Sequence, residues 1–558
     1  MSAGKTATRT VLSPCVQRVR FRRSLTVSSC FRSRGTYGNA QSTPRHTSGW
    51  SQSKVLAVAI GAGALGWGVA SLNGNRSPQK SFWGRSFAPR YATLPEMEKA
   101  IKRIESEVGI EGFISTDPED LLAHGYSEWS TVNPDTLPVA VAYPRTTEQV
   151  SVIARICYEH RVPIIPYSGG SSLEGNFSAP YGGISVDFAY MDQIIQFNKD
   201  DMDIVVQPSI GWQDLNAKLL AMDSGLFFPV DPGPSAKIGG MIGTNCSGTN
   251  AVRYGTMKDW VINLTVVLSD GRIIKTRRRP PTLKLAVVPE QYSVAVVTFP
   301  TIRDAAAAAA GVMQTGIPVA AMEIMDEVQM RVINLGGATK PRVWQEKPTL
   351  FFKFSGTSQG VKDNISRVKK IAAANKGGNF EFARDAAEQQ LLWSARKESL
   401  WSMLSLRKNG DDVWSTDVAV PFSRLADIIE VSKKEMDELG LFASILGHVG
   451  DGNFHESIMY NKNIPGERQK VEACVKNMVK RALDMDGTCT GEHSIGWGKK
   501  ESLLWEVGPE TLEVMAAVKK AFDPQWILNP GKIIDVPWEN TVYPHVAVTP
   551  NRVVKDLV

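Results

Sequence analysis

Two short glycine-rich segments hold most of the candidate chemistry of this chain. GHVGDGNFH contains His448 and His455, and GEHSIG contains Glu492 and His493; together they hold three of the 7 histidines. Two neutral imidazoles and a carboxylate form a ligand set that a divalent metal such as zinc accepts. A single histidine in such a turn is more often structural, but a polar cluster of this composition offers little to a hydrophobic core. We therefore interpret the two segments as parts of an active site.

A second pair of glycine-rich stretches precedes these segments. PYSGGSSLEG begins at Pro166, and DPGPSAKIGGMIGTNCSG begins at Asp231. Loops of this kind expose backbone N–H groups and small hydroxyls, which a pyrophosphate needs. One such loop is a weak signal because glycine also makes plain turns, whereas two fit a large dinucleotide in an extended groove. Neither matches a G-x-G-x-x-G turn that opens a helix, so an NAD-type site is not supported.

The elements that must position these loops follow an alternating pattern from about residue 136. Apolar residues predict strands at 139–143 and 163–166, with an amphipathic helix at 147–160 between them. A further strand is predicted at 263–268, and an alanine run at 305–310 lies in a predicted helix. The second strand runs directly into the first glycine loop.

The charge of the chain is unevenly distributed. The formal net charge is +6, but residues 1–95 carry 14 Lys or Arg and no acid, which leaves 49 basic and 57 acidic residues in the rest. This part of the chain is therefore mildly acidic, and nothing in it suggests nucleic-acid binding. The six cysteines form no C-x-x-C pair, so reduced thiols are expected.

The N-terminus has the composition of a targeting segment. Residues 1–50 are rich in Arg, Ser and Thr and lack acids, as in a mitochondrial presequence, although a disordered basic tail is the alternative. Residues 55–72 are uncharged, mostly apolar and just long enough to span a bilayer. A presequence and one span predict an inner-membrane anchor, and a sorting segment cleaved on import is the alternative.

Five motifs in a fixed order resemble the FAD-linked oxidoreductases of the vanillyl-alcohol oxidase type. They are the four segments above and Asn529-Pro530-Gly531-Lys532 near the C-terminus. The resemblance implies an α+β fold with a two-subdomain FAD-binding domain and an α/β cap domain with an antiparallel sheet. The domain bounds expected from it are a helical lead-in at 91–135, the FAD-binding domain at 136–288, the cap with its return to the flavin at 289–535, and a tail at 536–558.

The same resemblance implies how the cofactor is held. Covalent members carry a flavin-linking histidine where this chain has Ser171, so non-covalent FAD is expected. The expected cofactor-binding residues lie in the two glycine loops and in the C-terminal motif: Pro166, Tyr167, Ser168, Gly169, Gly170, Ser171, Ser172, Gly175, Asp231, Pro232, Gly239, Gly240, Gly243, Thr244, Asn245, Ser247, Gly248, Arg253, Tyr254, Gly255, Asn529 and Lys532.

The resemblance also implies oxidation of D-lactate, with electrons passed to cytochrome c at the mitochondrial inner membrane. It assigns His448, His455 and Glu492 as ligands of a divalent metal, zinc by donor type. His493 is the expected general base, with an unperturbed pKa near 6.5. Arg396, in WSARKE, is the expected carboxylate-binding residue, although its local sequence is equally typical of a solvated helix charge.

Two other enzymes of the same fold are alternatives. A D-2-hydroxyglutarate dehydrogenase shares every motif but needs a further cation, and the segment 413–417 contains no Lys or Arg. An ether-lipid synthase of the same fold is a transferase, and the basic, apolar N-terminus argues against its peroxisomal address.

One departure from the family pattern lies between Pro280 and Pro281. The family continues there with a helix and a glycine-rich flavin-contacting loop, about two dozen residues that this chain lacks. We expect the sheet of the FAD-binding domain to lose a central strand and the affinity for FAD to fall, because unmade backbone pairing in a buried sheet is costly. An inactive gene product is therefore a further possibility.

Overall fold

The computed structural model describes residues 89–278 and 280–537. The predicted presequence at 1–50 and the predicted membrane span at 55–72 lie outside these residues, as does most of the tail at 536–558. Within the described ranges, no helix is both long and apolar enough to cross a membrane. The four cysteines in these ranges are buried and unbridged.

The lead-in and the first subdomain form around a small, mostly parallel sheet. Its strand order is β1-β2-β4-β3, with β2, β4 and β3 parallel and β1 antiparallel to β2. The apolar face of the lead-in helix α1 packs against α3 beside this sheet. The elements are α1 (Leu94–Val108), β1 (Ile114–Ser115), α2 (Pro118–Gly125), β2 (Ala140–Ala142), α3 (Thr147–His160), β3 (Ile164–Tyr167) and β4 (Ile184–Asp187).

The predictions for this subdomain are confirmed. The helix predicted at 147–160 has the same bounds as α3, and the predicted strands correspond to β2 and β3. Thr146 caps α3 by accepting from the Gln149 N–H, and the buried face of the helix carries Ile153, Ile156 and Cys157. An amphipathic helix between two buried parallel strands is the unit that periodicity predicts best.

The second subdomain contains a four-stranded antiparallel sheet of order β5-β6-β11-β8 and two short hairpins, β9-β10 and β7-β12. The strand predicted at 263–268 is interrupted at Leu264 and forms parts of β8 and β9. The elements are β5 (Ile194–Asn198), β6 (Asp203–Val206), α4 (Trp212–Ala221), β7 (Leu226–Phe227), α5 (Ile238–Thr244), α6 (Ala251–Tyr254), α7 (Met257–Trp260), β8 (Val261–Asn263), β9 (Thr265–Val267), β10 (Ile273–Lys275), β11 (Thr282–Lys284) and β12 (Ala286–Val287).

The departure at Pro280 and Pro281 does not leave the central position of this sheet unfilled. The residues directly after Pro281 form β11, which pairs with β6 on one side and β8 on the other. The expectation that the sheet loses a central strand is therefore wrong. Only three residues make the strand, and its register shifts between Thr282 and Leu283, so the backbone pairing there is short.

The cap is one antiparallel sheet covered by helices. Its strand order is β16-β13-β15-β14-β19-β20-β17, and β18 also pairs with β20. The alanine run at 305–310 lies in α8, as predicted. The elements are β13 (Gln291–Thr298), α8 (Ile302–Gln314), β14 (Val319–Met325), α9 (Glu327–Gly336), β15 (Thr349–Gly356), α10 (Ser358–Ala374), β16 (Gly378–Phe382), α11 (Ala386–Lys397), α12 (Ser399–Ser405), β17 (Asp411–Ser415), β18 (Val418–Ala419), α13 (Leu425–Leu439), β19 (Phe442–Gly447), β20 (Asn453–Asn461), α14 (Glu467–Asp484) and α15 (Lys500–Phe522).

The chain then returns to the first subdomain. The Ile164 N–H donates to the Ile527 carbonyl, and the Asn529 N–H donates to the Ile164 carbonyl. These two bonds align the C-terminal motif with β3, directly before the first glycine loop. The α+β fold with an antiparallel cap sheet agrees with the sequence prediction.

Candidate active site

One cavity of about 1440 Å³ joins the two glycine loops to the cap. It exceeds the usual range for a drug-sized ligand, about 300–1,000 Å³, and suits an extended dinucleotide with a substrate beside it. The wall includes sixteen of the expected cofactor-binding residues: Pro166, Tyr167, Ser168, Gly169, Gly170, Ser171, Ser172, Asp231, Pro232, Gly239, Gly240, Gly243, Thr244, Gly248, Asn529 and Lys532.

The two glycine loops meet in the wall of this cavity. A Cβ atom on Gly169 would collide with the carbonyl oxygen of Ser235 in the other loop. Gly170 has a left-handed φ of 58°, and a Cβ atom there would lie 2.5 Å from the Tyr167 hydroxyl oxygen. Both positions therefore require glycine, which lets the two loops approach each other closely in the cavity wall.

Six expected cofactor-binding residues lie outside this wall. Their contacts are structural: Asn245 ends α5 and accepts from the Lys258 N–H, and the Arg253 guanidinium donates to the Pro318 carbonyl. The six residues are Gly175, Asn245, Ser247, Arg253, Tyr254 and Gly255. Gly175 ends the first loop, and the other five lie in the second loop and in or directly after α6.

His448 lies between two carboxylates. Its Nδ1 is 2.9 Å from Glu323 Oε1, and its Nε2 is 2.9 Å from Glu492 Oε1. Burial alone would lower the pKa of His448, but the two carboxylates hold it well above its usual value. A metal-ligating histidine commonly donates its second N–H to a carboxylate, and Glu323 is placed for that role.

His455, on β20, is oriented by one backbone contact. Its Nδ1 donates to the Thr416 carbonyl at 2.8 Å, because a carbonyl oxygen can only accept. Its Nε2 lies 3.2 Å from Glu492 Oε1. Because two lone pairs at this distance repel each other, the contact needs either a proton or a metal cation between the two atoms.

The ligand atoms of His448, His455 and Glu492 all lie within 4.8 Å of one another. The sequence prediction is thus consistent with the geometry, since three converging donors with oriented histidines fit a divalent cation. Asp417, His455 and His493 form a second group of this size. Its carboxylate is already engaged by other donors, so the first group suits a cation better.

Asp417 organises the GEHSIG segment, and the sequence reasoning missed it. Its buried carboxylate accepts from the backbone N–H groups of Glu492 and His493, at 3.1 and 3.0 Å, and from the Lys499 ammonium at 3.1 Å. The Asn453 amide also donates to it at 2.9 Å. Burial would raise the pKa of Asp417, but Lys499 and the nearby histidines hold it well below its usual range.

His493 lines the cavity beside His455. The two rings are stacked, with centroids 4.9 Å apart and an interplanar angle of 14°. Among the described residues, its buried Nδ1 has no hydrogen-bond partner. Burial lowers the pKa of His493 to about 4, so the expected value near 6.5 is wrong. The ring is consequently neutral at neutral pH.

Arg396 lies in the wall of the cavity at the end of α11. Its Nε donates to Glu323 Oε2 at 2.7 Å, while the other oxygen of Glu323 contacts His448. The reading of Arg396 as a solvated helix charge is therefore wrong. Glu323 was missed, although a lone carboxylate within the apolar strand β14 is a recognisable signal.

Two family models match the chain in the order of its two domains. A model described as "FAD binding domain" matches residues 138–277, and one described as "FAD linked oxidases, C-terminal domain" matches residues 288–533. Among solved structures, p-cresol methylhydroxylase with bound substrate has a TM-score of 0.66 and 18% identity, and the match covers 81% of this chain and 100% of that chain. This likeness concerns the fold.

Two curated relatives are more similar in sequence. The mitochondrial D-lactate dehydrogenase (cytochrome) of Kluyveromyces lactis is 41% identical, covering 87% of this chain and 91% of the relative. The protein of the same name from Arabidopsis thaliana is also 41% identical, covering 76% and 78%. The chain belongs to the FAD-linked oxidases, in the family of the mitochondrial D-lactate dehydrogenases (cytochrome), and the resemblance of its five motifs is confirmed.

Proposed function

We propose that this protein oxidises D-lactate to pyruvate with FAD and passes the electrons to cytochrome c. The observation that carries the proposal is that Arg396, His493 and the cation-binding group of His448, His455 and Glu492 line the same cavity as the glycine loops. A 2-hydroxy acid needs a cation for its carboxylate, a base for its hydroxyl proton and an acceptor for the hydride on C2. The names of the similar dehydrogenases support this substrate and this acceptor.

The residues of the chain divide these tasks. Arg396 binds the carboxylate through its terminal nitrogens, because Glu323 occupies its Nε and thereby holds the guanidinium plane. His493 accepts the hydroxyl proton, since its buried ring is neutral at neutral pH and offers a lone pair. FAD, when bound, accepts the hydride that leaves C2. The names of the similar dehydrogenases support the D configuration of the acid.

The proposal includes a divalent metal held by His448, His455 and Glu492. Two imidazoles and a carboxylate make zinc the expected metal. The convergence of their ligand atoms within 4.8 Å of one another supports it, as do the orienting contacts from Glu323 and Thr416. When bound, such a cation lowers the pKa of a hydroxyl group next to it. The three residues then hold the hydroxyl end of the substrate while Arg396 holds the carboxylate end.

Location and cofactor attachment complete the proposal. Ser171 cannot form the histidyl link of covalent members, so FAD is held without a covalent bond. The arginine-rich N-terminus and the apolar segment at 55–72 favour import into mitochondria and attachment to the inner membrane. The word "mitochondrial" in the names of the relatives supports the organelle.

The substrate is expected to be small. Ser415 is the residue of segment 413–417 that lines the cavity, and it carries no charge. A second carboxylate beside it would be desolvated without a partner there, which is costly in a dry pocket. The proposal therefore predicts a preference for D-lactate over D-2-hydroxyglutarate.

Steady-state kinetics with cytochrome c as acceptor test the proposal. The full chain, with its FAD content measured first, is assayed with D-lactate, L-lactate and D-2-hydroxyglutarate, and with NAD as an alternative acceptor. We expect the highest kcat/KM for D-lactate and no reduction of NAD. Equal or better turnover of the five-carbon acid would replace D-lactate with D-2-hydroxyglutarate as the substrate.

A further inference from the structure

A lysine lies where the cap sheet meets the cavity. Lys353 is on β15, between the fully buried Phe352 and Phe354. Those two rings face the main core of the cap, whereas Lys353 points to the opposite face of the sheet because side chains alternate along a strand. On that face it is paired with Ala321, two residues before Glu323 on β14. The side chain lines the cavity on the same face as Glu323.

The ammonium group of Lys353 forms no ion pair within the part of the chain that the structure describes. Within residues 89–278 and 280–537, Lys353 Nζ makes no hydrogen bond and no ion pair, and its defined contact is the Trp393 ring, with Nζ 3.8 Å from the centroid. Asp231 and Glu323 are the acids that influence it most. Both are engaged elsewhere: Asp231 by Thr249 and the Asn250 N–H, and Glu323 by His448 and Arg396.

This arrangement is unfavourable in the absence of an anion. Burial lowers the pKa of Lys353, and Arg396 acts on it in the same direction. Trp393 precedes Arg396 by three residues on α11, so the ring that contacts Lys353 lies next to the guanidinium on one helix face. Arg396 is already compensated by Glu323, whereas Lys353 is paired with no carboxylate of the described residues, so two neighbouring cations here share less than two full anionic charges and favour one further anion.

We propose that Lys353 binds the substrate, and that it holds the carboxylate of the 2-hydroxy acid together with Arg396. This inference rests on the proposed function and deepens it, since the ligand is a small monocarboxylate. A carboxylate has two oxygens, one for each cation, while the hydroxyl stays with the histidine group. Lys353 lies 60 positions before segment 413–417, outside the stretch whose lack of Lys and Arg indicates a small substrate.

Two substitutions of Lys353 and one control test this assignment. Lys353→Met keeps the length of the side chain and removes the charge, and Lys353→Arg keeps the charge. Lys370→Met removes a charge from the exposed face of α10. For each protein we would measure FAD content, KM and kcat for D-lactate and for D-2-hydroxyglutarate, and the Kd of oxamate by calorimetry. Oxamate is a monocarboxylate of the size of lactate that has no C2 hydrogen to give up, so its Kd can be measured without turnover.

We expect Lys353→Met to raise the KM for D-lactate and the Kd for oxamate about 10- to 100-fold, the effect of one charge-assisted hydrogen bond. The kcat should change less than about threefold, because the contact is made equally in substrate and transition state. Lys353→Arg should stay within about threefold of the wild type in both binding terms, and Lys370→Met should match the wild type.

Three results would overturn the assignment. Unchanged KM and Kd in Lys353→Met would mean that the ammonium does not meet the carboxylate. Lost FAD with unchanged oxamate binding would mean that it serves the cofactor. A loss confined to D-2-hydroxyglutarate would mean that it serves a distal carboxylate. A wild type that binds oxamate through Lys353 but does not oxidise D-lactate would refute the proposed function and leave this inference standing.

Discussion

Substitution of Glu323 gives the most direct test of the proposed site, because this carboxylate contacts both Arg396 and His448. Its two oxygens accept from His448 Nδ1 at 2.9 Å and from Arg396 Nε at 2.7 Å. The carboxylate is 1% exposed, and the side chains of His448 and Arg396 are 8% and 12% exposed. Glu323→Gln keeps the shape but offers one acceptor to two donors, so one N–H must face the amide N–H₂.

The size of the effect follows from this burial. Breaking a buried charged pair by removing one partner costs about 3–5 kcal/mol. Because glutamine retains one acceptor, we expect the free energy of unfolding to fall by about 3 kcal/mol, at the lower end of that range. The loss of orientation at both Arg396 and His448 should lower kcat/KM for D-lactate about 100-fold and weaken metal binding 10- to 100-fold.

Urea unfolding, metal analysis and cytochrome c reduction measure these quantities on one preparation. Glu346→Gln is the matched control, since Glu346 pairs with Arg331 at 3.0 Å on the surface and both side chains are about half exposed. An exposed pair contributes about 0–1 kcal/mol, so this control should resemble the wild type. If Glu323→Gln also stays within threefold of the wild type in kcat/KM, the connection through Glu323 has no role in catalysis.

Three further predictions address the cofactor, the metal and the pH dependence of stability. The chain should bind FAD weakly, because the loop expected after Pro280 is absent. Insertion of the family segment after Pro280 should raise the ratio of absorbance at 450 nm to absorbance at 280 nm. A stoichiometric flavin spectrum from the present chain would refute this prediction. His448→Ala should abolish D-lactate turnover and bound metal but retain flavin, and full activity without a divalent ion, by elemental analysis, would contradict the assignment. Burial alone would lower the pKa of His124, but Asp187 at 3.0 Å and the Asp120 carbonyl raise it. The contribution of His124 to the free energy of unfolding should therefore be complete below about pH 6.5 and should decline as the pH rises through the raised folded pKa. His124→Gln should remove this pH dependence from the free energy of unfolding.

Local patterns were sufficient for the parts of the fold that depend on near neighbours. The helix at 147–160 was predicted with its observed bounds because the spacing of its apolar residues is a property of near neighbours. The glycine loops were recognisable for the same reason, since a close backbone approach excludes a Cβ atom wherever it occurs. The clustering of histidine, glutamate and glycine in two segments likewise identified the cavity wall that holds His448 and His493.

Contacts between distant segments decided the rest. Glu323, Asp417 and Lys353 lie far in sequence from the histidine segments. Folding places Glu323 against His448, Asp417 against the GEHSIG segment and Lys353 in the cavity wall. Electrostatics followed the same rule: the pKa of His493 depends on burial, which no local pattern states. The filling of the central sheet position by β11 was also a tertiary outcome. Short-range sterics and periodicity are properties of neighbouring residues, whereas burial, ion pairing and strand order depend on which segments the folded chain brings together.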